Sequence, residues 1–176
     1  FDNMIAIIDY NAGNLKSVEK ALSAIGRESV ITRDRHEILK ADKVILPGVG
    51  AFGDAMAQLK KYELDKVIHE VADMDKPFLG ICLGLQLLFE GSDESQGVEG
   101  LHVNNGRLFE KLPENPYVYF VHSYYLKAAD ESIVKATTEY SAHIHASVEK
   151  GNVFACQFHP EKSSSIGLSI LKNFAQ

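Results

Sequence analysis

The sequence predicts one three-layer α/β domain: a mostly parallel sheet with helices on both faces, and a mixed or antiparallel C-terminal extension. Three observations carry this. Short, nearly continuous apolar runs recur through the first half, as in strands buried on both faces. Stretches with apolar residues at helical spacing lie between them. After Gly91 the alternation gives way to a series of strand-like segments closed by one helical pattern.

Element by element, Met4-Ile5-Ala6-Ile7-Ile8 is an apolar run ending at Asp9 and reads as the first strand. Leu15, Val18, Leu22 and Ile25 then fall at helical spacing, with Asn14 placed as N-cap and Gly26 as C′ residue. Ser29 to Thr32 is the second strand and Val44-Ile45-Leu46 the third, stopped by Pro47-Gly48. Two helices follow, one from about Phe52 to Lys60 and one carrying Leu64, Val67, Ile68 and Val71. Pro77 to Ile81 reads as a fourth strand and Leu83 to Phe89 as the helix behind it. Gly91 to Pro116 is polar, Gly/Pro-punctuated and almost without periodicity. Tyr117–Tyr125, Ile133–Thr138, His145–Glu149 and Val153–Phe158 read as strands of a mixed sheet joined to the first half. Ser165 to Phe174 closes the chain as a helix with Ile166, Ile170, Leu171 and Phe174 on one side.

A length of 176 residues suits a single domain, and no repeat, low-complexity tract or linker divides it. Phe1 to Asn3 read as a remnant or native extension ahead of a natural start at Met4. The formal charge of −6 gives no pull toward nucleic acid or anionic membrane, so neither is an expected partner. No apolar run is long enough to span a bilayer, and no signal peptide opens the chain. Two cysteines far apart in sequence argue against a disulfide framework and for a reducing, cytoplasmic setting.

The most informative segment is Pro77-Phe78-Leu79-Gly80-Ile81-Cys82-Leu83-Gly84. An apolar strand turns abruptly into a helix with Cys82 at the turn, and Gly80 and Gly84 complete a G-x-C-x-G spacing. This is a nucleophile-elbow pattern with sulfur in place of a hydroxyl. The helix N-terminus favours a thiolate, and the Leu83 N–H is placed to serve an oxyanion. The competing reading is a buried structural cysteine between incidental glycines. Cys156, within a strand pattern, reads as a small core hydrophobe.

A cysteine nucleophile needs a base. His36 and His69 read as surface positions, and His143 and His145 share a strand face without further ligands at metal-binding spacing, so no metal is expected. His159 stands apart because it leaves a strand and is followed by Pro160-Glu161. In an extended segment residues i and i+2 point the same way, so Glu161 can hold the imidazole tautomer as a third triad member does. The competing reading is a surface His-Pro-Glu turn. The remaining segment, Pro47-Gly48-Val49-Gly50-Ala51-Phe52-Gly53, contains G-x-G-x-x-G. It follows the third strand, and no acidic strand end comes about twenty residues later, so a dinucleotide site is rejected. A glycine strand offering backbone N–H groups to an oxyanion fits better.

In combination these segments resemble the class I (triad) glutamine amidotransferases across nearly the whole chain. Within that family, Ile5 to Asn14, Leu46 to Phe52, Gly80 to Gly84 with Gln86, Tyr119 to Tyr124 and Gln157 to Lys162 are similar to the glutaminase subunits of imidazole glycerol phosphate synthases. The resemblance implies Cys82, His159 and Glu161 as catalytic triad, without a cofactor. It implies oxyanion donors at Val49 or Gly50 and at Leu83, and a glutamine pocket including Gly48, Gln86, Glu94, His122, Ser123 and Tyr124. It also implies ammonia transfer to a (β/α)8-barrel cyclase subunit in a heterodimer, with Asn11, Asn14, Tyr119 and Lys162 near the interface. A triad amidotransferase of pyridoxal phosphate, anthranilate or GMP synthesis and a catalytically silent binding subunit are the alternatives. One departure stands out. The family's longer segment between Gly100 and Tyr117 is absent, and Val103-Asn104-Asn105-Gly106 reads as an abrupt join, either a natural deletion or residues left out of the sequence.

Overall fold

The computed structural model describes residues 3–48, 52–82, 93–100, 102–103, 106–113, 116–125, 131–139 and 143–176. Its main sheet has eight strands in the order β2-β1-β3-β4-β10-β9-β8-β6. Strands β1 (Ile5–Ile8), β2 (Ser29–Thr32), β3 (Lys43–Leu46), β4 (Phe78–Ile81) and β10 (Val153–Cys156) pair in parallel. Beyond β10 the sheet turns antiparallel through β9 (His143–Lys150), β8 (Val134–Glu139) and the short β6 (His102–Val103).

Both faces of the parallel part are covered, and β1 shows why its run is apolar without a break. Ile5 and Ile7 face one core with α1 (Leu15–Ala24) and α5 (Ser164–Phe174). Ala6 and Ile8 face the other with α2 (Arg35–Lys40), α3 (Phe52–Lys61) and α4 (Leu64–Asp73). All four β1 side chains have no exposed surface. The predicted three-layer class is thus the observed one. Each fully buried Leu or Ile in these layers stabilises by about 1.5–3 kcal/mol relative to leaving it exposed. Among the described residues, no helix is long and apolar enough to cross a membrane.

The expected helices over 15–25, 52–60, 64–71 and 165–174 are found within a residue or two, and Gly26 takes the left-handed conformation (φ 77°) of a C′ residue. Three differences have physical causes. Helix α2 has no counterpart in the sequence reading, because it is six residues long and buries only Ile38; Asp34 starts it by accepting the His36 N–H at 3.0 Å. The aperiodic stretch after Gly91 contains β5 (Asp93–Gly100) and β6. Polar Asp93–Gly100 gains its strand form from pairing, not propensity. Finally, β7 (Tyr117–Tyr125) does not join the mixed sheet. It pairs antiparallel with β5 in a separate two-stranded sheet. The expected helix over Leu83–Phe89 and the join at 104–105 lie outside the described residues.

Candidate active site

The first strands of the parallel sheet end on one edge, and the site lies along it. Strand β3 runs into Pro47-Gly48, β4 into Cys82, and β10 through Gln157-Phe158 to His159. Strands β4 and β10 are neighbours, with Ile81 opposite Cys156. The pairing continues one step further, because the Cys82 N–H donates to the Cys156 carbonyl at 2.6 Å. Nucleophile candidate and base candidate are therefore carried to one place by two hydrogen-bonded strands.

Cys82 adopts a left-handed φ of 53°, and only 2% of its surface is exposed. A non-glycine residue in that conformation is uncommon and costs energy. The strained turn is the structural meaning of the elbow pattern, and it ends β4 abruptly.

His159 is fully buried, which excludes a surface His-Pro-Glu turn. Its Nδ1 lies 2.7 Å from Glu161 Oε1, and neither side chain is exposed. The route to that contact differs from the expected extended segment. Pro160 to Lys162 form a 3-10 turn with proline at its start, closed by Lys162 N–H donating to the His159 carbonyl at 3.1 Å. Proline's fixed φ suits the first position of such a turn, and the turn swings Glu161 back under the ring. Ser163 Oγ donates to the His159 carbonyl at 2.7 Å. Gly167 packs so tightly beneath that a Cβ there would stand 1.7 Å from the Pro160 carbonyl oxygen.

Burial alone would lower the imidazole pKa. Hydrogen bonding to Cys82 and Glu161 and their negative charges more than offset it and push it up to about 9. The Cys82 side chain acts on the same ring, through hydrogen bonding and charge. Thiol, imidazole and carboxylate thus stand in series, an arrangement able to supply a thiolate nucleophile and a proton carrier.

The second cysteine is unlike the first. Cys156 lies within β10 and has no exposed surface; burial pushes its thiol up to about 12, against a Ser147 contact at 3.9 Å that lowers it, with Glu161 adding to the rise. Neither cysteine forms a disulfide. His36 and His69 are exposed on α2 and α4, as the sequence suggests.

Around this centre, Gly48 is buried at the end of β3, and Tyr10 Oη donates to the Pro47 carbonyl at 2.5 Å just before it. Tyr10 was not singled out from the sequence. It is buried beside Cys82, and both burial and the thiolate charge hold its phenol well above the usual range. Val49, Gly50, Leu83 and Gln86 lie outside the described residues. Glu94 falls in β5, and Tyr119, His122, Ser123 and Tyr124 in β7; the backbone of His122 pairs with Ser95. Strand β7 approaches the 160–162 turn, which brings that segment toward the histidine.

Of the positions expected near a partner, Lys162 is exposed. Asn11 is exposed too, in a left-handed conformation (φ 69°), and is tied to Gln58, Tyr62 and Arg33 at 3.1, 3.2 and 3.0 Å. Asn14 is different. Only 4% of it is exposed, and as N-cap of α1 it makes no capping bond; its Nδ2 donates to Glu161 Oε1 at 3.1 Å.

Comparison with known proteins agrees with this geometry. The sequence profile of the family described as "Glutamine amidotransferase class-I" matches residues 6–176. The chain is 47% identical over 196 aligned positions to "Imidazole glycerol phosphate synthase subunit HisH" of Bacillus cereus (strain G9842), covering 97% of this chain and 93% of that relative. A protein of the same description from Oceanobacillus iheyensis is 43% identical, with 98% of both chains covered. The alignments span 196 and 198 positions, more than the 176 residues of this chain, so the relatives carry residues without a counterpart here. Among solved structures, "Structure of PurLQS from Thermotoga maritima" superposes with a TM-score of 0.81 at 20% identity, covering 97% of this chain and 96% of that one. A "Crystal structure of glutamine amidotransferase" gives 0.74 at 18%, covering 98% and 99%. At that identity the superpositions speak for the fold alone.

Proposed function

The chain belongs to the class-I glutamine amidotransferases, and from that membership we propose that it hydrolyses glutamine with Cys82, His159 and Glu161 and delivers the ammonia to a cyclase subunit that makes imidazole glycerol phosphate in histidine biosynthesis. The observation that carries the triad is the buried 2.7 Å contact between His159 Nδ1 and Glu161 Oε1, just beyond the strand that pairs with the one leading into Cys82.

The chemistry follows from the groups present. The Cys82 thiolate attacks the side-chain amide carbon of glutamine, and the carbonyl electron pair moves to oxygen. Backbone N–H groups at Val49 or Gly50 and at Leu83 stabilise that oxyanion. The imidazolium of His159 gives its proton to the amide nitrogen, the C–N bond breaks, and ammonia leaves behind a thioester. His159 then takes a proton from water as the water attacks the thioester carbon. The thiolate departs and glutamate is released. Through both steps Glu161 keeps the Nδ1–H hydrogen bond, which fixes the tautomer and favours the charged ring. Gly48, Gln86, Glu94, His122, Ser123 and Tyr124 form the glutamine pocket in this reading.

The relatives' description as a synthase subunit supports assembly with a partner subunit; that this partner is a (β/α)8-barrel cyclase in a heterodimer, and the setting the cytoplasm, is part of the proposal. Asn11, Asn14, Tyr119 and Lys162 are assigned to that interface; the exposure of Lys162 and Asn11 suits it, whereas the burial of Asn14 does not favour direct contact. The segment shortened between Gly100 and Tyr117 contains no triad residue. Ammonia made without an acceptor is wasted, so the glycine strand at 48–50 is proposed to complete the oxyanion site only when the partner is loaded; its glycines let a peptide plane rotate without a Cβ clash. Steady-state glutaminase kinetics on the chain alone and with the cyclase and its ligand test this. A large rise in kcat with a smaller change in KM is expected, because the gain appears in the transition state. Full activity of the isolated chain would remove the gating, and an absence of glutamine hydrolysis in the loaded complex would remove the assignment.

A further inference from the structure

We infer that Asn14 is a positioning residue for the reaction, acting through Glu161 to keep the His159–Glu161 pair aligned; this rests on the triad reading above. The side chain breaks a local rule to do so. Asparagine at an N-cap ordinarily accepts a backbone N–H of the first helical turn. Asn14 occupies the N-cap of α1, yet it makes no such bond. Its amide instead crosses to the far end of the chain and donates to Glu161 Oε1 at 3.1 Å. A forgone local interaction at a buried position marks a site where another demand prevails.

That demand is visible in the surroundings of the carboxylate. Glu161 has no exposed side-chain surface. A buried carboxylate stays charged only if donors replace the water it has lost. Among the described residues its Oε1 has two, His159 Nδ1 at 2.7 Å and Asn14 Nδ2 at 3.1 Å, and Oε2 has none. An ionised carboxylate can only accept, so the nitrogen end of the Asn14 amide is the end that faces it. Two donors converging on one oxygen fix the rotation of the carboxylate and hold that oxygen under the imidazole. Without Asn14 the carboxylate would lose one of the two donors it has among the described residues, and His159 would be the one left to orient it. Helix α1 and the 160–162 turn are in contact, so a small movement at the helix start is transmitted to the triad.

The test compares glutaminase kinetics of Asn14→Ala, Asn14→Asp, Glu161→Ala and the Asn14→Ala/Glu161→Ala double variant, in the full chain with its cyclase partner. Cys82→Ala serves as control for the triad itself. Asn14→Ala is expected to lower kcat roughly tenfold or more, the scale of one hydrogen bond to a charged group, with KM nearly unchanged. In the Glu161→Ala background it should cost nothing further, because the residue through which it acts is gone. Asn14→Asp keeps the volume and reads the same question should the alanine variant fold poorly. Its carboxylate repels Glu161 at neutral pH and becomes a donor once protonated, so its activity relative to wild type should rise as pH falls. A similar loss from Asn14→Ala in both backgrounds, a near-wild-type kcat, or an Asn14→Asp variant with the wild-type pH profile would overturn the role of Asn14 and leave the triad standing. Full activity of Cys82→Ala would instead overturn the triad reading beneath it.

Discussion

The Cys82 N–H donates to the Cys156 carbonyl at 2.6 Å, so the two cysteines of the chain lie side by side where adjacent parallel strands end. Proximity makes their difference instructive. Cys82 occupies a strained turn with φ 53°, whereas Cys156 is a strand residue whose thiol is pushed up to about 12 by burial. Cys82→Ala should abolish glutamine hydrolysis and leave the fold intact, because alanine fits wherever the larger side chain did. Cys156→Ala should retain activity. Circular dichroism and a glutaminase assay on both variants check this. Loss of activity in Cys156→Ala with retention in Cys82→Ala would reverse the assignment.

Glu161 and pH act through the same imidazole. His159 is held up to about 9, above its ordinary 6.5, by its Cys82 and Glu161 partners against the opposing effect of burial. A histidine pKa raised on folding adds stability that is fully present below about 6.5 and is lost as pH rises through about 9. The catalytic consequence follows the same sign. The imidazolium form of His159, the proton donor to the leaving ammonia, should persist through neutral pH and be lost above about 9. Glu161→Gln removes the charge that helps raise the imidazole, so kcat should drop, plausibly by orders of magnitude as in other triads, and the alkaline limb should move to lower pH. A kcat–pH profile and an NMR titration of His159 measure both; an unchanged alkaline limb in Glu161→Gln would sever the link.

Gly167 supports the turn from below. A Cβ at this position would meet the Pro160 carbonyl oxygen at 1.7 Å and the carbonyl carbon at 2.6 Å. Both are backbone atoms and cannot rotate aside, so Gly167→Ala must displace the turn that carries Glu161. We expect a destabilisation of about 1–3 kcal/mol, typical of overpacking, together with a fall in kcat. Thermal unfolding and steady-state kinetics read the two effects. Gly53, where a Cβ meets nothing within 4 Å, is the control.

Much of this was legible in the residues. Continuous apolar runs gave the buried strands, and Cys82 between two glycines marked the elbow. His159 and Glu161 were found from a two-residue spacing, although the spacing works through a 3-10 turn and not an extended strand. What escaped reading depends on partners distant in sequence. Helix α2 buries only Ile38, β5 is polar and exists through β7, and Asn14 looks like an ordinary N-cap until α1 and the 160–162 turn are seen together. Tyr10 likewise shows its place beside Cys82 only in three dimensions.

The central claim is that Cys82 becomes covalently acylated by glutamine. Mass spectrometry on the chain, acid-quenched during turnover with glutamine and its partner, measures this directly. The account predicts a glutamyl thioester on the peptide that carries Cys82, absent in Cys82→Ala and increased when a His159 variant slows deacylation more than acylation. An adduct on Cys156, or continued turnover by the Cys82→Ala variant, would contradict it.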